Sequence, residues 1–287
     1  MIDNIKAVAA DIDMTLTSKG GPLPEATLKA FQILHEHNVM LGLATGREIN
    51  DVLKNTGESW GLGFEFDFVI GMNGGMVFNR HTGSMYSMDL MTKEDMVSIL
   101  TYMMPLIDQY KISINAEGGG NHNAMYIQGE LLQAQMRHGF YFVDKTGDIP
   151  GFCEKRAYKM LFRTEPEYGE KIRTMFLEKY GDRFQIIETF PGTVEVMQKG
   201  IDKGSGLLRY ANDTGIDMKN IIAFGDNEND NTLLEMAGWG VCLNDGNEET
   251  KKCADALTDY SCADGGVGHY LLDHYITKNS EFEADLH

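Results

Sequence analysis

The sequence predicts an α/β fold, a doubly wound parallel sheet interrupted by an inserted α+β domain. Short apolar runs alternate with helical patterns up to about Asn79 and again from Asp202, as strands of a parallel sheet alternate with the helices that cover them. From about Gly83 to Met197 the strands instead alternate apolar with polar residues, as an antiparallel sheet covered on one side does. Several apolar runs of the first kind end in polar clusters, at the sheet edge where open α/β folds bind ligands. The expected division is residues 1–82 with 198–287 for the core and 83–197 for the insertion.

The first strand is the apolar run Ile5 to Ala10, which feeds into Asp11-Ile12-Asp13-Met14-Thr15-Leu16. A helix follows over Leu23 to His37, with Leu28, Phe31, Ile33 and Leu34 on one face, Pro24 in its first turn and Asn38 as its stop. Val39 to Ala44 is the second buried strand; it ends in Thr45-Gly46-Arg47, before a short helix from about Glu48 to Lys54. Phe68-Val69-Ile70-Gly71 is the third, ending in Met72-Asn73-Gly74-Gly75. In the insertion, Lys111 to Asn115 and Thr193 to Met197 alternate, which predicts strands with one buried and one wet face. Met88, Met91, Met96, Met103 and Met104 read as filling for the core under its helices. The core pattern resumes with a helix from Asp202, the strand Asn220 to Phe224 ending in Gly225-Asp226-Asn227-Glu228-Asn229-Asp230, a helix to about Ala237, a strand Gly240 to Leu243, and closing helices. The last residues, Glu281 to His287, read as a frayed acidic tail.

A chain of 287 residues with 43% hydrophobic and 24% charged residues can bury a large core and has the composition of a globular protein. A formal charge of −18 argues against a nucleic-acid partner, because phosphate backbones are bound through clustered Lys and Arg. No apolar run is long enough to span a bilayer and the start carries no signal-peptide pattern, so no membrane association and a cytoplasmic location are expected. Cys153, Cys242, Cys253 and Cys262 lack Cys-x-x-Cys spacing and read as reduced structural thiols.

Carboxylates are costly to bury without a compensating cation, so Asp11 and Asp13 at a strand end suggest a bound metal or acid/base chemistry. Alone, an Asp-x-Asp is more often a solvated turn. A second aspartate cluster from Asp226, on another buried strand able to reach the same edge, reverses that reading. Four pieces then stand in order: Asp11 to Leu16, Thr45-Gly46-Arg47, Lys203 within Gly200-Ile201-Asp202-Lys203-Gly204, and Gly225 to Asp230. This order resembles the haloacid dehalogenase superfamily of phosphohydrolases, specifically its Cof-type members with an α/β cap inserted between the second and third motifs. The resemblance covers nearly the whole chain.

It implies a Rossmann-like core with Asp11 as a nucleophile that forms an aspartyl phosphate and Asp13 as the acid and base that serves leaving group and water. It implies Mg²⁺ held by Asp11, the backbone carbonyl of Asp13 and Asp226. Thr45, the amide of Gly46, Asn229 and Lys203 would hold phosphoryl oxygens, with Lys203 also neutralising Asp11. Asp230 would orient Lys203 or touch the metal, and Met14 stands where close relatives usually have Gly. The implied activity is a Mg²⁺-dependent phosphatase of small phosphorylated metabolites, sugar phosphates foremost, acting as a monomer or homodimer. A phosphomutase or phosphotransferase using the same intermediate is the alternative, and a phosphate-binding regulator without turnover is a more distant one.

Blander readings apply elsewhere. His35 and His37 lie two apart on a helix, do not share a face, and are expected to face solvent. Gly118-Gly119-Gly120-Asn121-His122 lacks the Lys-Ser/Thr ending of a P-loop and reads as a loop of the insertion. Glu117, His122, Lys159 and Glu195 could contact substrate but are more readily structural or surface residues.

Overall fold

The computed structural model describes residues 4–18, 21–118, 123–127 and 141–286. In chain order its strands are β1 (Ala7–Ala10), β2 (Met40–Ala44), β3 (Phe68–Gly71), β4 (Met76–Asn79), β5 (Ser84–Ser87), β6 (Ser113–Glu117) and β7 (Ala124–Ile127). They continue with β8 (Val143–Asp144), β9 (Lys159–Arg163), β10 (Phe184–Phe190), β11 (Thr193–Gln198), β12 (Ile221–Gly225), β13 (Trp239–Cys242) and β14 (Ala256–Leu257). The chain divides into two units, Met1–Ser87 with Asp202–His287, and Met88–Ile201. β5 lies in the first unit because it pairs antiparallel with β4, which moves the division past the expected residue 82.

In the first unit the sheet order is β14-β13-β12-β1-β2-β3-β4-β5. The strands from β14 to β3 are parallel, and β4 and β5 add an antiparallel edge. Successive side chains of a strand point to opposite faces, and here both faces are covered. Val8, Ala10, Leu41, Leu43, Ile222 and Phe224 pack with Phe31, Leu34, Val267 and Leu271 from the helices Glu25–Glu36 and Gly266–His274. On the other face Ala7, Ala9, Phe68, Ile70, Ile221 and Ala223 pack with Leu207, Tyr210, Leu233 and Leu234 from the helices Lys203–Thr214 and Asn231–Met236. Two buried faces explain why these strands read as unbroken apolar runs. From β1 the chain moves to β2 on one side, whereas β12 lies on the other, so β1 and β12 flank the point where the winding reverses. In open α/β sheets ligands bind outside the strand ends at such a point.

Local expectations shift by a residue or two. Pro24 is the N-cap of the first helix and Asn38, at φ 59°, ends the turn that follows it. The tail departs more. Ser280–Leu286 forms 3₁₀ turns, with Phe282 buried against Tyr275 and the ring of His37, and His37 Nε2 lies 2.8 Å from Asp285 Oδ2. One aromatic among acidic residues is enough to dock the segment, so it is not a frayed end, and His37 is held there while His35 stacks on Phe64.

In the second unit the order is β10-β11-β9-β6-β7-β8, antiparallel apart from β7 and β8. One face buries Ile114, Met160, Phe162, Val194 and Val196 under the helices Lys93–Met103 and Gly169–Tyr180, with Met91, Met96 and Met103 fully buried; Met104 is exposed. The other face is polar as expected but is not wet: Ser113, Asn115, Glu117, Lys159, Arg163 and Glu195 are buried. Buried charges persist only when paired. Lys159 Nζ lies 3.1 Å from Glu195 Oε1 and 3.5 Å from Glu117 Oε2, Asn115 donates to Glu117, and Arg163 donates to Asn115.

Candidate active site

The candidate site is built from the ends of β1, β2, β3 and β12 and the start of the helix Lys203–Thr214. Asp11 follows β1 directly, and its amide donates to the carbonyl of Phe224 at 3.0 Å, which ties it to the end of β12. Lys203 is the first residue of its helix, because Asp202 caps that helix in a reciprocal pair with Ser205. Its side chain is fully buried, and Nζ donates to Asp11 Oδ1 and to Asp230 Oδ1, each at 2.6 Å.

Asp230 is held as firmly. Its Oδ2 accepts from the amides of Asp226 at 2.9 Å and Asn227 at 3.1 Å, closing the turn after β12. Gly225 is required there, since a β-carbon would run into the side chain of Asp230. Both Asp230 oxygens are therefore engaged, one on Lys203 and one on the backbone, which makes Asp230 the partner that aims Lys203 toward Asp11.

Ligand oxygens of Asp11, Asp226 and Asp230 all lie within 4.8 Å of one another. Burial, and then the charges of Asp230 and Asp226, hold the Asp11 carboxyl above its ordinary range against the pull of Lys203. Burial and the charge of Asp230 push Asp226 up to about 7. Burial alone would lower Lys203, but the charges of Asp11 and Asp230 outweigh it and raise it, so the ammonium stays charged. Three carboxylates against one ammonium leave the cluster two negative charges in excess when all are ionised. A divalent cation matches that excess, and the donors are hard oxygens of the kind Mg²⁺ takes. With Asp230 occupied, Asp11 and Asp226 are the carboxylates that fit it. Thr15 Oγ1 donates to Asp226 Oδ1 at 2.7 Å and orients it.

Asp13 stands in a turn bridged to Thr17, and its carboxylate takes both arms of the Arg47 guanidinium, Nε on Oδ2 at 2.9 Å and Nη2 on Oδ1. Between Asp13 and Thr15, Met14 adopts φ 66°, a left-handed conformation that suits glycine. Thr45 is buried after β2, and its Oγ1 accepts from the Arg47 amide at 3.2 Å. The following helix, Ile49–Asn55, is capped by Glu48 and not by Thr45. Gly46 lies against Asn73, and Asn229 Nδ2 donates to Asn73 Oδ1 at 3.2 Å.

The fold thus brings Asp11, Asp13, Thr45, Gly46, Lys203, Asp226 and Asn229 to the ends of β1, β2 and β12 and the start of one helix. Three partners escaped the sequence reading: Arg47 on Asp13, Thr15 on Asp226, and Asn73 between Gly46 and Asn229. Asn73 carried a signal, being the polar residue at a third strand end with glycines after it. Of the substrate-contact candidates in the insertion, Glu117, Lys159 and Glu195 pair with one another in the second unit. His122 lies outside the described residues.

A family model described as haloacid dehalogenase-like hydrolase matches residues 8–271. A candidate phosphatase of Streptococcus pyogenes is 28% identical over 277 residues, covering 93% of this chain and 97% of that protein. The HMP-PP phosphatase of Klebsiella pneumoniae is 26% identical over 273 residues, covering 95% and 94%. Among solved structures, the HAD subclass IIB sugar phosphatase BT4131 superposes with a TM-score of 0.77 at 20% identity, covering 93% and 98% of the two chains.

Proposed function

We propose a reaction from one premise: this chain belongs to the haloacid dehalogenase-like hydrolase family and is a phosphatase. It hydrolyses small phosphorylated metabolites, sugar phosphates foremost, through an aspartyl phosphate on Asp11. The observation that carries the reading is the Asp11 carboxylate held on Lys203 beside Asp226, at the point where the winding of the sheet reverses. The sugar class is supported by the likeness to a sugar phosphatase.

Asp11 attacks phosphorus, and the bond from phosphorus to the ester oxygen breaks. The departing oxygen takes a proton from Asp13. Asp13, now ionised, takes a proton from water as the water oxygen attacks the same phosphorus, and the bond to Asp11 breaks to release inorganic phosphate. Thr45, the Gly46 amide and Asn229 hold the phosphoryl oxygens, while Lys203 offsets charge on Asp11 and on the transferred group. Asp11, Asp226 and the carbonyl of Asp13 would hold Mg²⁺, which when bound supplies Lewis-acid stabilisation of phosphoryl charge. Positioning and fixed charge carry most of phosphoryl transfer, since the migrating group spreads its charge over its oxygens.

A panel of phosphomonoesters with and without Mg²⁺, comparing native protein with Asp11→Asn, tests this. Metal-dependent release of inorganic phosphate, lost in the variant, is expected. Undiminished release by Asp11→Asn sinks the nucleophile assignment, and conservation of the ester on a second hydroxyl marks a mutase instead.

A further inference from the structure

We infer that Arg47 is a positioning residue for Asp13, fixing the carboxylate that exchanges protons with the leaving group and with water; this rests on the aspartyl-phosphate reading above. The guanidinium grips both carboxylate oxygens in a fork, Nε on Oδ2 and Nη2 on Oδ1. Such a two-point contact fixes the plane of the carboxyl group, which a single hydrogen bond leaves free to turn. The grip is itself anchored. The Arg47 amide donates to Thr45 Oγ1 at 3.2 Å and its carbonyl accepts from Met72 at 2.9 Å, so the loop is tied to residues at the ends of β2 and β3. The loop that presents Thr45 and Gly46 to the phosphoryl group therefore also sets the direction of Asp13.

Stability is a poor explanation for the pair. Both side chains are 34% exposed, and ion pairs so open to water stabilise a fold weakly. The Asp13 backbone, by contrast, is already placed by the bridge to Thr17 and the hydrogen bond from the Met14 amide to the Thr17 carbonyl at 2.9 Å. What the backbone does not set is the side-chain torsion, and that is the freedom Arg47 removes. The fork uses one lone pair on each Asp13 oxygen and leaves the second to carry a proton, so the protonated group that serves the leaving oxygen and the ionised group that then takes a proton from water are held at the same angle.

The test is a double-mutant cycle on turnover of 4-nitrophenyl phosphate, whose leaving group departs without a proton. Its first half-reaction does not need Asp13, whereas hydrolysis of the phosphorylated Asp11 does. Arg47→Ala and Asp13→Asn are each expected to lower steady-state kcat by at least about tenfold, within the range general acid/base groups contribute. Both should show a burst of about one nitrophenolate per chain with kcat/KM changed by less than about threefold, KM falling along with kcat, because the first half-reaction sets that ratio and only the second is slowed. The double variant should be no slower than Asp13→Asn alone. Arg47→Lys, which reaches one oxygen at a time, should fall between native and Arg47→Ala, and it runs the same cycle if Arg47→Ala does not fold. Single losses that multiply in the double variant, a change in KM alone, or a burst lost with Arg47→Ala but kept with Asp13→Asn would overturn the assignment. Absence of phosphate release by the native protein, or full activity of Asp11→Asn, would instead sink the underlying reaction.

Discussion

Replacing Asp226 by Asn removes one negative charge from the carboxyl edge while keeping the oxygen that accepts from Thr15 Oγ1 at 2.7 Å. Burial first, and then the charge of Asp230, push the Asp226 carboxyl from an ordinary 3.8 up to about 7, against the lowering pull of Thr15 and Lys203. A carboxyl raised in this way contributes stability that is complete below about pH 4 and is lost as pH rises through about 7, because the folded state keeps a proton that the unfolded chain has released. At about 1.4 kcal/mol per pH unit the whole interval is worth about 4 kcal/mol, and the part between pH 5 and 7 about 3 kcal/mol. Asn does not titrate. The metal-free variant should therefore gain about 3 kcal/mol relative to native protein between pH 5 and pH 8, a rise of several degrees in melting temperature. Millimolar Mg²⁺ should reverse the order at pH 8 by stabilising native protein alone, since the cation and the proton compete for the same oxygens. Thermal melts in chelator and in Mg²⁺ at the two pH values decide it. A variant less stable than native protein in chelator at pH 8, or equal stabilisation of both by Mg²⁺, refutes the argument.

Lys203→Met leaves Asp11 and Asp230 without their buried counter-charge, so it should cost about 3–5 kcal/mol in chemical denaturation as well as abolish turnover; a native denaturation midpoint would show that the three groups do not share one buried network. Because Lys203 is raised by its neighbours, its contribution should hold from neutral pH to beyond 10, and a loss already between pH 7 and 9 would contradict that direction. Met14→Gly relieves a side chain at φ 66° and should raise stability by about 0.5–1 kcal/mol after the entropy of glycine is counted, so a drop in melting temperature speaks against the strain. Phe282→Ala should cost about 3 kcal/mol by emptying the site beside Tyr275 and His37, whereas an unchanged melting curve would show that the tail is not docked in solution.

The parallel core was legible because its strands are buried on both faces. Runs such as Phe68 to Gly71 and Ile221 to Phe224 have no polar interruption, and such runs bounded by turn residues and helices admit few arrangements. The carboxylates Asp11 and Asp226 at the ends of two such runs were legible with them, whereas Thr45, Lys203 and Asn229 were singled out only by the order of motifs in the resemblance, since a lone threonine or lysine there reads as a cap or a surface residue. The polar face of the second sheet misled for a related reason. Alternation reports that Asn115, Glu117, Lys159 and Glu195 share a face, but says nothing about whether that face meets water or meets other charges. The tail misled because its acidic residues outnumber the one aromatic that docks it.

The chain by itself determined which strand ends carry carboxylates and which face of each helix is apolar, because period and strand termination are local properties. Tertiary structure decided the pairings: Arg47 on Asp13 across 34 positions, Lys203 between Asp11 and Asp230, and Asn73 against Asn229 across 156. Such contacts follow from strand order and from the direction of each loop. No periodicity records them, since a side chain's partner is chosen by whatever packing brings within about 3 Å of it.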